Sequence, residues 1–265
     1  MDGALRIRIA AQDGESRVIE SYAHAPFHYL PPMHRDGAPP LLTVVNSSGG
    51  VVGGDVLDMQ VDLGRGSTVM LRQQAATKVY RSETGPARSC CRFRLADAAV
   101  LDYFPEEIIP FAGSDYAQTT EITLAPGATA LFGEIVTAGR LARGERFAFT
   151  RLDLDLQCTG NGTLLLRDRA ELRPAQQPLD NPALLGDATI WASFYALTTQ
   201  PLPAVLIEAV DDVLHSVAAG AGGATAAPAG LVGRVVGTSL DTVRAAMQRA
   251  RALVLNGMQL AEGDA

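Results

Sequence analysis

The sequence predicts a mainly β protein: a layered β body followed by two α-helices in the C-terminal third. Three observations carry this. Apolar and charged residues alternate at period two through much of residues 1–173. Turn-forming residues interrupt those runs at short intervals. From Pro203 onward the apolar spacing becomes helical.

In chain order, Leu5, Ile7 and Ile9 alternate with Arg6 and Arg8. Leu57, Met59, Val61 and Leu63 alternate with Asp58, Gln60 and Asp62, and Cys91, Phe93 and Leu95 alternate with Arg92 and Arg94. Each pattern puts its apolar set on one face of a strand. Phe147 and Phe149 continue the theme, but Leu152, Leu154 and Leu156 are one residue out of phase with them, which predicts a β-bulge near Thr150-Arg151. Turns are expected at Gly64-Arg65-Gly66, Gly85-Pro86, Gly113-Ser114, Pro126-Gly127, Gly139 and Gly144.

Ala188 to Leu197 reads as a strand, and Pro203 to Ala219 as a helix with Val205, Ile207, Val210, Val213 and Leu214 near one face. Ala219 to Gly230 reads as a Gly/Ala-rich connector and Leu231 to Val236 as a strand. Ser239 is the expected N-cap of a second helix, with Leu240, Val243, Met247, Ala250 and Val254 on its apolar face. The expected organisation is one domain over residues 1–265: a β body over 1–173 and a β-α-β-α tail over 183–258 packed on it. No internal repeat is evident, and Pro174 to Pro182 is short for a linker.

Lys plus Arg total 22 and Asp plus Glu 29, a formal net charge of −7, which argues against a nucleic-acid partner. The opening Met1-Asp2-Gly3-Ala4-Leu5-Arg6 lacks the basic-then-apolar pattern of a signal peptide, and no apolar run approaches membrane-spanning length. Three cysteines, with Cys90 and Cys91 adjacent, fit a reducing compartment, so a cytoplasmic location is expected.

The densest chemical signal is Asn46-Ser47-Ser48-Gly49-Gly50-Val51-Val52-Gly53-Gly54-Asp55. Gly49 and Gly54 have the glycine spacing of a P-loop, but Asp55 stands where that loop needs lysine and would repel phosphate. A glycine loop ending in a carboxylate suits a tight turn, a cation or a protein partner. His24, His28 and His34 cluster around prolines. Pro26 opposes the helix that would align His24 with His28, so a transition-metal site competes with plain histidines in a turn. Cys90-Cys91 lacks the spacer of a zinc motif, and the alternation turns Cys91 inward and Cys90 outward, which leaves a redox or metal role without support beyond the pair itself. Hydrolase signatures are missing. Glu106 and Glu107 would point to opposite faces of a strand, against an acid–base dyad. In the polar run Gln73 to Ser82, Lys78 and Arg81 could bind an acidic partner, pair with Asp55, or simply be solvated.

Four segments, in order, resemble the urease accessory protein UreD family, called UreH in some bacteria. They are Gly49-Gly50-Val51-Val52-Gly53-Gly54-Asp55, Gln74 to Ser82, Phe104 to Phe111, and Gly139 to Phe147, and together they span most of residues 40 to 150. The resemblance implies stacked β-sheets of β-helical character with two α-helices. It implies a non-enzymatic nickel-insertion chaperone that binds the urease apoprotein and a UreF-type protein, and through the latter a UreG-type GTPase. It implies no tightly bound cofactor, only nickel in transit, with an internal passage for the ion. Such a passage must hold a divalent cation weakly, through carboxylates, carbonyls and water. By motif position Asp55, Glu106, Glu107 and Glu145 are the candidate nickel contacts. The alternative for each is a structural ion pair with Lys78, Arg81 or Arg140. Gly49, Gly50, Gly53, Gly54, Thr77, Lys78, Tyr80, Arg81 and Arg140 are the expected motif and partner residues.

Two rivals stand beside this reading. One is a scaffold for the same complex that never touches metal. The other is an enzyme on a β body, which would need a concave pocket with convergent polar groups. The sequence departs from the family at Ser47-Ser48, where prolines are usual, and at the polar ending Gln259 to Ala265, where many relatives are basic and aromatic.

Overall fold

The structure, a computed structural model, describes residues 1–35, 38–217 and 220–263, with side chains described as far as residue 258. Strands β1 (Asp2–Gln12), β2 (Glu15–His24), β3 (Phe27–Tyr29), β4 (Met33–Arg35) and β5 (Ala38–Asn46) lead into three successive coils. The first coil is β6 (Val56–Leu63), β7 (Thr68–Gln74) and β8 (Thr77–Val79). The second is β9 (Ala87–Leu95), β10 (Val100–Tyr103) and β11 (Ile108–Pro110), and the third is β12 (Asp115–Leu124) and β13 (Thr129–Thr137). Then follow β14 (Arg151–Gly160), β15 (Thr163–Leu172), β16 (Ile190–Thr198), α1 (Ala204–His215), β17 (Ala221–Ala227), β18 (Gly230–Gly237) and α2 (Leu240–Gly263).

β6, β9 and β12 pair in parallel in one sheet, while β7, β10 and β13 pair in parallel in the other. The chain therefore winds back and forth between two sheets as a β-solenoid. The fold is mainly β, with two α-helices among the described residues, both in the C-terminal third. Each coil repeats the last in structure, at starts roughly thirty residues apart, although the sequence shows no repeat. The coils are held by burial and backbone pairing, which need only matching polarity.

The first sheet has the order β15-β14-β12-β9-β6-β1-β2, and its two outermost strands are antiparallel to their neighbours. Parallel sheets are usually covered on both faces because their crossovers are helices. Here each crossover is a strand of the opposite sheet, so the first sheet keeps one face in water. That face carries a ladder of ion pairs: Asp58 accepts from Arg6 at 2.6 Å and from Arg92 at 2.6 Å, and Arg92 also reaches Glu121 at 3.1 Å. The inward residues are the apolar half of each alternation. Leu5, Ile7, Val61, Phe93 and Ile122 meet Leu42, Leu71, Leu101 and Phe132 of the second sheet in one core. Each such side chain contributes about 1.5–3 kcal/mol when fully buried.

At β13 and β16 the second sheet is buried on both faces. Its outer face takes Val210 and Leu214 of α1 and Val243, Met247, Ala250 and Val254 of α2, packed on Leu131, Ile135, Phe194 and Val235. The face expected for α2 is the face it buries, and Ser239 caps it, its Oγ accepting the Thr242 amide at 3.4 Å. Strand β17 lies at the edge, and Asp211 of α1 accepts the Ala224 N–H at 2.6 Å, so a helix side chain satisfies an edge donor.

Three expectations need correction. Residues 145–150 form a loop, in which Phe147 has φ 51°, and β14 starts only at Arg151. The phase change marks this loop-to-strand junction, where the Thr150 and Arg151 amides both reach the Ser114 carbonyl, and no bulge interrupts the β12–β14 register. The Gly/Ala-rich connector contains strand β17, whose small residues are needed because a Cβ at Gly222 would sit 2.4 Å from the Leu214 carbonyl oxygen. The first helix ends at His215; Ala218 and Ala219, the end of the expected helix, lie outside the described residues.

Candidate functional site

The four motif segments occupy the same corner of successive coils and stack on one another. Val51 bridges Val79 in parallel, with the Val51 amide on the Lys78 carbonyl and the Tyr80 amide on the Val51 carbonyl, both at 2.8 Å. β8 then pairs with β11, placing Thr77 on Ile108 and Val79 on Pro110. The next level is the 139–147 loop: the Gly113 amide donates to the Ala148 carbonyl at 2.8 Å and the Ala112 amide to Glu145 at 3.2 Å.

Close stacking explains two glycines. A Cβ at Gly50 would lie 2.5 Å from the Lys78 carbonyl oxygen and 2.6 Å from the Tyr80 ring, and one at Gly53 would lie 2.6 Å from the Gly85 carbonyl oxygen. Gly49 and Gly54 turn the loop with φ 72° and 87°. Along the corner's outer side Tyr80 meets Phe111 edge-on at 5.1 Å, and the Arg140 guanidinium lies 4.1 Å from the Phe111 centroid.

Each of the four candidate acids has a cationic partner. Asp55 is buried, with Oδ1 2.8 Å from the Met1 amine and Oδ2 accepting the Val52 amide at 2.9 Å; it does not pair with Lys78 or Arg81. Glu145 pairs with Arg140, Nε to Oε2 at 2.8 Å, and this hydrogen bond holds its carboxyl below the usual range. Glu106 and Glu107 share the Arg244 Nη2 of α2 at 2.8 and 2.7 Å. Residues 104–107 are not a strand, so the alternation rule does not separate these two side chains. Arg244 brings them together from 137 residues away in sequence.

His24, His28 and His34 sit on three separate strands, and the His24 Nδ1 is hydrogen-bonded to the Asp2 carbonyl at 2.9 Å. Among the described residues no three or more His, Cys, Asp or Glu side chains gather as a metal cage would need. Cys91 faces inward and Cys90 outward, as the alternation predicts. Burial raises both thiols, Cys91 to about 12, so neither is a ready thiolate.

Inside the solenoid the polar side chains form a row. One cavity, about 40 Å³, is bordered by Asn46, Gln73, Thr77, Ser89, Gln118 and Glu134. A second, about 50 Å³, is bordered by Gln118, Thr120, Glu134, Asp168, Ser193 and Arg234. The two share Gln118, Thr120 and Glu134. Each has room for about one or two waters. Glu106 is exposed and also borders the first cavity, so it stands where interior meets surface.

Glu134 is the pivot of this row. Its Oε1 accepts from Gln118 at 2.6 Å, while Gln118 accepts from the Tyr116 hydroxyl at 3.0 Å. Burial pushes the Glu134 carboxyl up to about 7, opposed by Arg234 and reinforced by the charge of Asp168. Asp168 in turn accepts from Tyr195 at 2.8 Å and pairs with Arg234.

The model of the family described as UreD urease accessory protein matches residues 1–263. The chain belongs to the UreD family. It is similar to the urease accessory protein UreD of Haloarcula marismortui, 33% identical over 253 residues, covering 94% of this chain and 84% of that one. It is 31% identical over 244 residues to the UreD of Actinomyces naeslundii, covering 91% of this chain and 89% of that one. A UreD 2 of Streptomyces griseus is 34% identical over 218 residues, covering 80% of this chain and 74% of that one.

Within this UreD-family chain, sequence reasoning missed the interior row. Glu134 had a visible signal, a lone acid in the apolar run Ala130-Leu131-Phe132-Gly133-Glu134-Ile135-Val136. Asp168 and Arg234 meet only because β15 and β18 face each other across the interior. Asp102 was missed too: it is buried on β10 and held by Arg72 at 3.0 Å and by the Nε of Arg251 on α2 at 2.8 Å.

Proposed function

We propose that this chain is a nickel-insertion chaperone of urease that carries the ion through its interior and does no bond-making itself. The observation that supports this most is the shared wall of the two interior cavities, Gln118, Thr120 and Glu134. Amide and hydroxyl oxygens with a lone carboxylate at this level hold a divalent cation loosely enough to release it. A fully hydrated ion is wider than either cavity, so transit requires shedding water to these side chains or widening the walls. Among the four motif acids, Glu106 takes the ion at the surface on leaving Arg244, and Glu107 beside it shares the same arginine. Asp55 and Glu145 serve by holding the corner in shape, and contact the ion only if their partners move.

The ion's recipient is the urease apoprotein, and a UreF-type protein with its UreG-type GTPase is the source. The setting is the cytoplasm; no helix among the described residues is long and apolar enough to cross a membrane. The test is urease matured in cells with and without the chain, then with Glu134→Gln and Gln118→Leu, counting nickel per urease. Loss of nickel with the interior variants, at unchanged co-purification with urease and UreF-type protein, is the expected result. Full loading by these variants would favour the plain scaffold, and full loading without the chain would end the proposal.

A further inference from the structure

The stacked corner is one strand thick, and its two faces have opposite characters. Thr77 and Val79 of β8 point inward, and Ile108 of β11 borders the first cavity. Lys78 and Tyr80, one residue away, point outward and are exposed. Arg81 lies over Gly113, its Cγ 3.2 Å from where a Cβ there would be, and Arg143 is exposed on the next level.

This outer face gathers cations that, among the described residues, carry no ion pair. The chain is acidic, and most of its arginines are ion-paired, as on the ladder of the first sheet. Among the described residues Lys78, Arg81 and Arg143 have no carboxylate partner. Lys78 is the only lysine in 265 residues. Glu83 is the exposed acid nearest in sequence, and Glu145 is already neutralised by Arg140. Apolar surface sits among these cations, with Tyr80 38% and Leu141 39% exposed. Aromatic and arginine side chains on a rigid base are the composition of an interface centre. The base is rigid because its backbone groups are used in coil stacking and Gly50 and Gly53 leave no room for a side chain, so little ordering is lost on binding.

We propose that the outward face of this wall, centred on Lys78, Tyr80, Arg81 and Arg143, docks a carboxylate-rich patch on the protein that receives the ion. This rests on the reading above, which makes the urease apoprotein that recipient. Charge complementarity selects an acidic patch, and the shared wall selects the recipient: a protein seated here rests one strand away from the first cavity. The corner's own backbone is committed to stacking, so recognition is through side chains.

The experiment measures binding of the full chain to urease apoprotein at several salt concentrations. Lys78→Glu with Arg81→Glu is expected to weaken binding about tenfold or more, and wild-type affinity is expected to fall with salt. Arg94→Glu, on the ion-paired face of the first sheet, is the control and should bind as wild type. Thermal melts check folding, and Lys78→Gln with Arg81→Gln repeats the test without introducing repulsion. Wild-type affinity in the charge-reversed chain overturns the proposal. So does loss of UreF-type binding or of self-association in place of urease binding. If wild-type chain loads nickel and the reversed chain loads equally, the docking surface is wrong and the chaperone reading stands; if neither affects loading, the chaperone reading is what fails.

Discussion

Replacing Glu134 with glutamine should make the protein more stable and less useful. Burial holds the folded-state carboxyl up at about 7, against 4.5 for a glutamate free in water. Below the lower value both folded and unfolded states carry the proton, and the group contributes nothing to pH dependence. As pH rises from there to about 7, the unfolded chain releases its proton while the folded one keeps it. Stability therefore falls across that window, by about 1.4 kcal/mol for each unit of separation, or about 3 kcal/mol in all above neutrality. The substituted glutamine never ionises, and it can turn its amide oxygen toward Gln118 to keep the hydrogen bond now 2.6 Å long. The variant should thus be roughly 3 kcal/mol more stable than wild type at pH 8 and nearly equal to it at pH 4.5. Urea unfolding at a series of pH values measures this. A constant difference between the two proteins across the series would refute the claim that Glu134 is an acid held by burial. A gain in stability joined to a loss of nickel delivery would show that the carboxylate is kept for the ion at the expense of the fold.

Other consequences follow from the packing. Gly50→Ala should destabilise by about 1–3 kcal/mol, since the added carbon meets backbone at Lys78 and a ring fixed on Phe111; an unchanged urea midpoint would mean the corner is looser than its contacts indicate. Asp102→Asn should cost about 3–5 kcal/mol because Arg72 and Arg251 lose their shared buried anion, and hydrogen exchange should quicken first in α2. Arg244→Gln, which breaks half-exposed pairs, should cost only about 0–1 kcal/mol; a larger loss in the melt would mark Arg244 as a strut of the fold.

Much of the fold was legible because period-two alternation survives wherever one sheet face meets water. Leu57, Met59, Val61 and Leu63 were readable for that reason, their intervening acids standing on the ion-paired face. The second sheet was harder. β13 and β16 are buried on both faces by the interior and by the helices, so their residues carry no alternation to read. β17 was missed because an edge strand pressed against α1 needs glycine and alanine, the residues that also make linkers.

Of the site, the sequence by itself determined the motif segments, their glycines and the inward and outward sense of the alternating strands, because these depend on neighbours a few residues away. The tertiary structure alone decided which charges meet. Arg244 lies 137 residues from Glu107, and Arg234 lies 66 from Asp168, separations at which local pattern carries no information. It also decided that four segments spread over about a hundred residues form one corner, since coil stacking brings together positions a full turn apart.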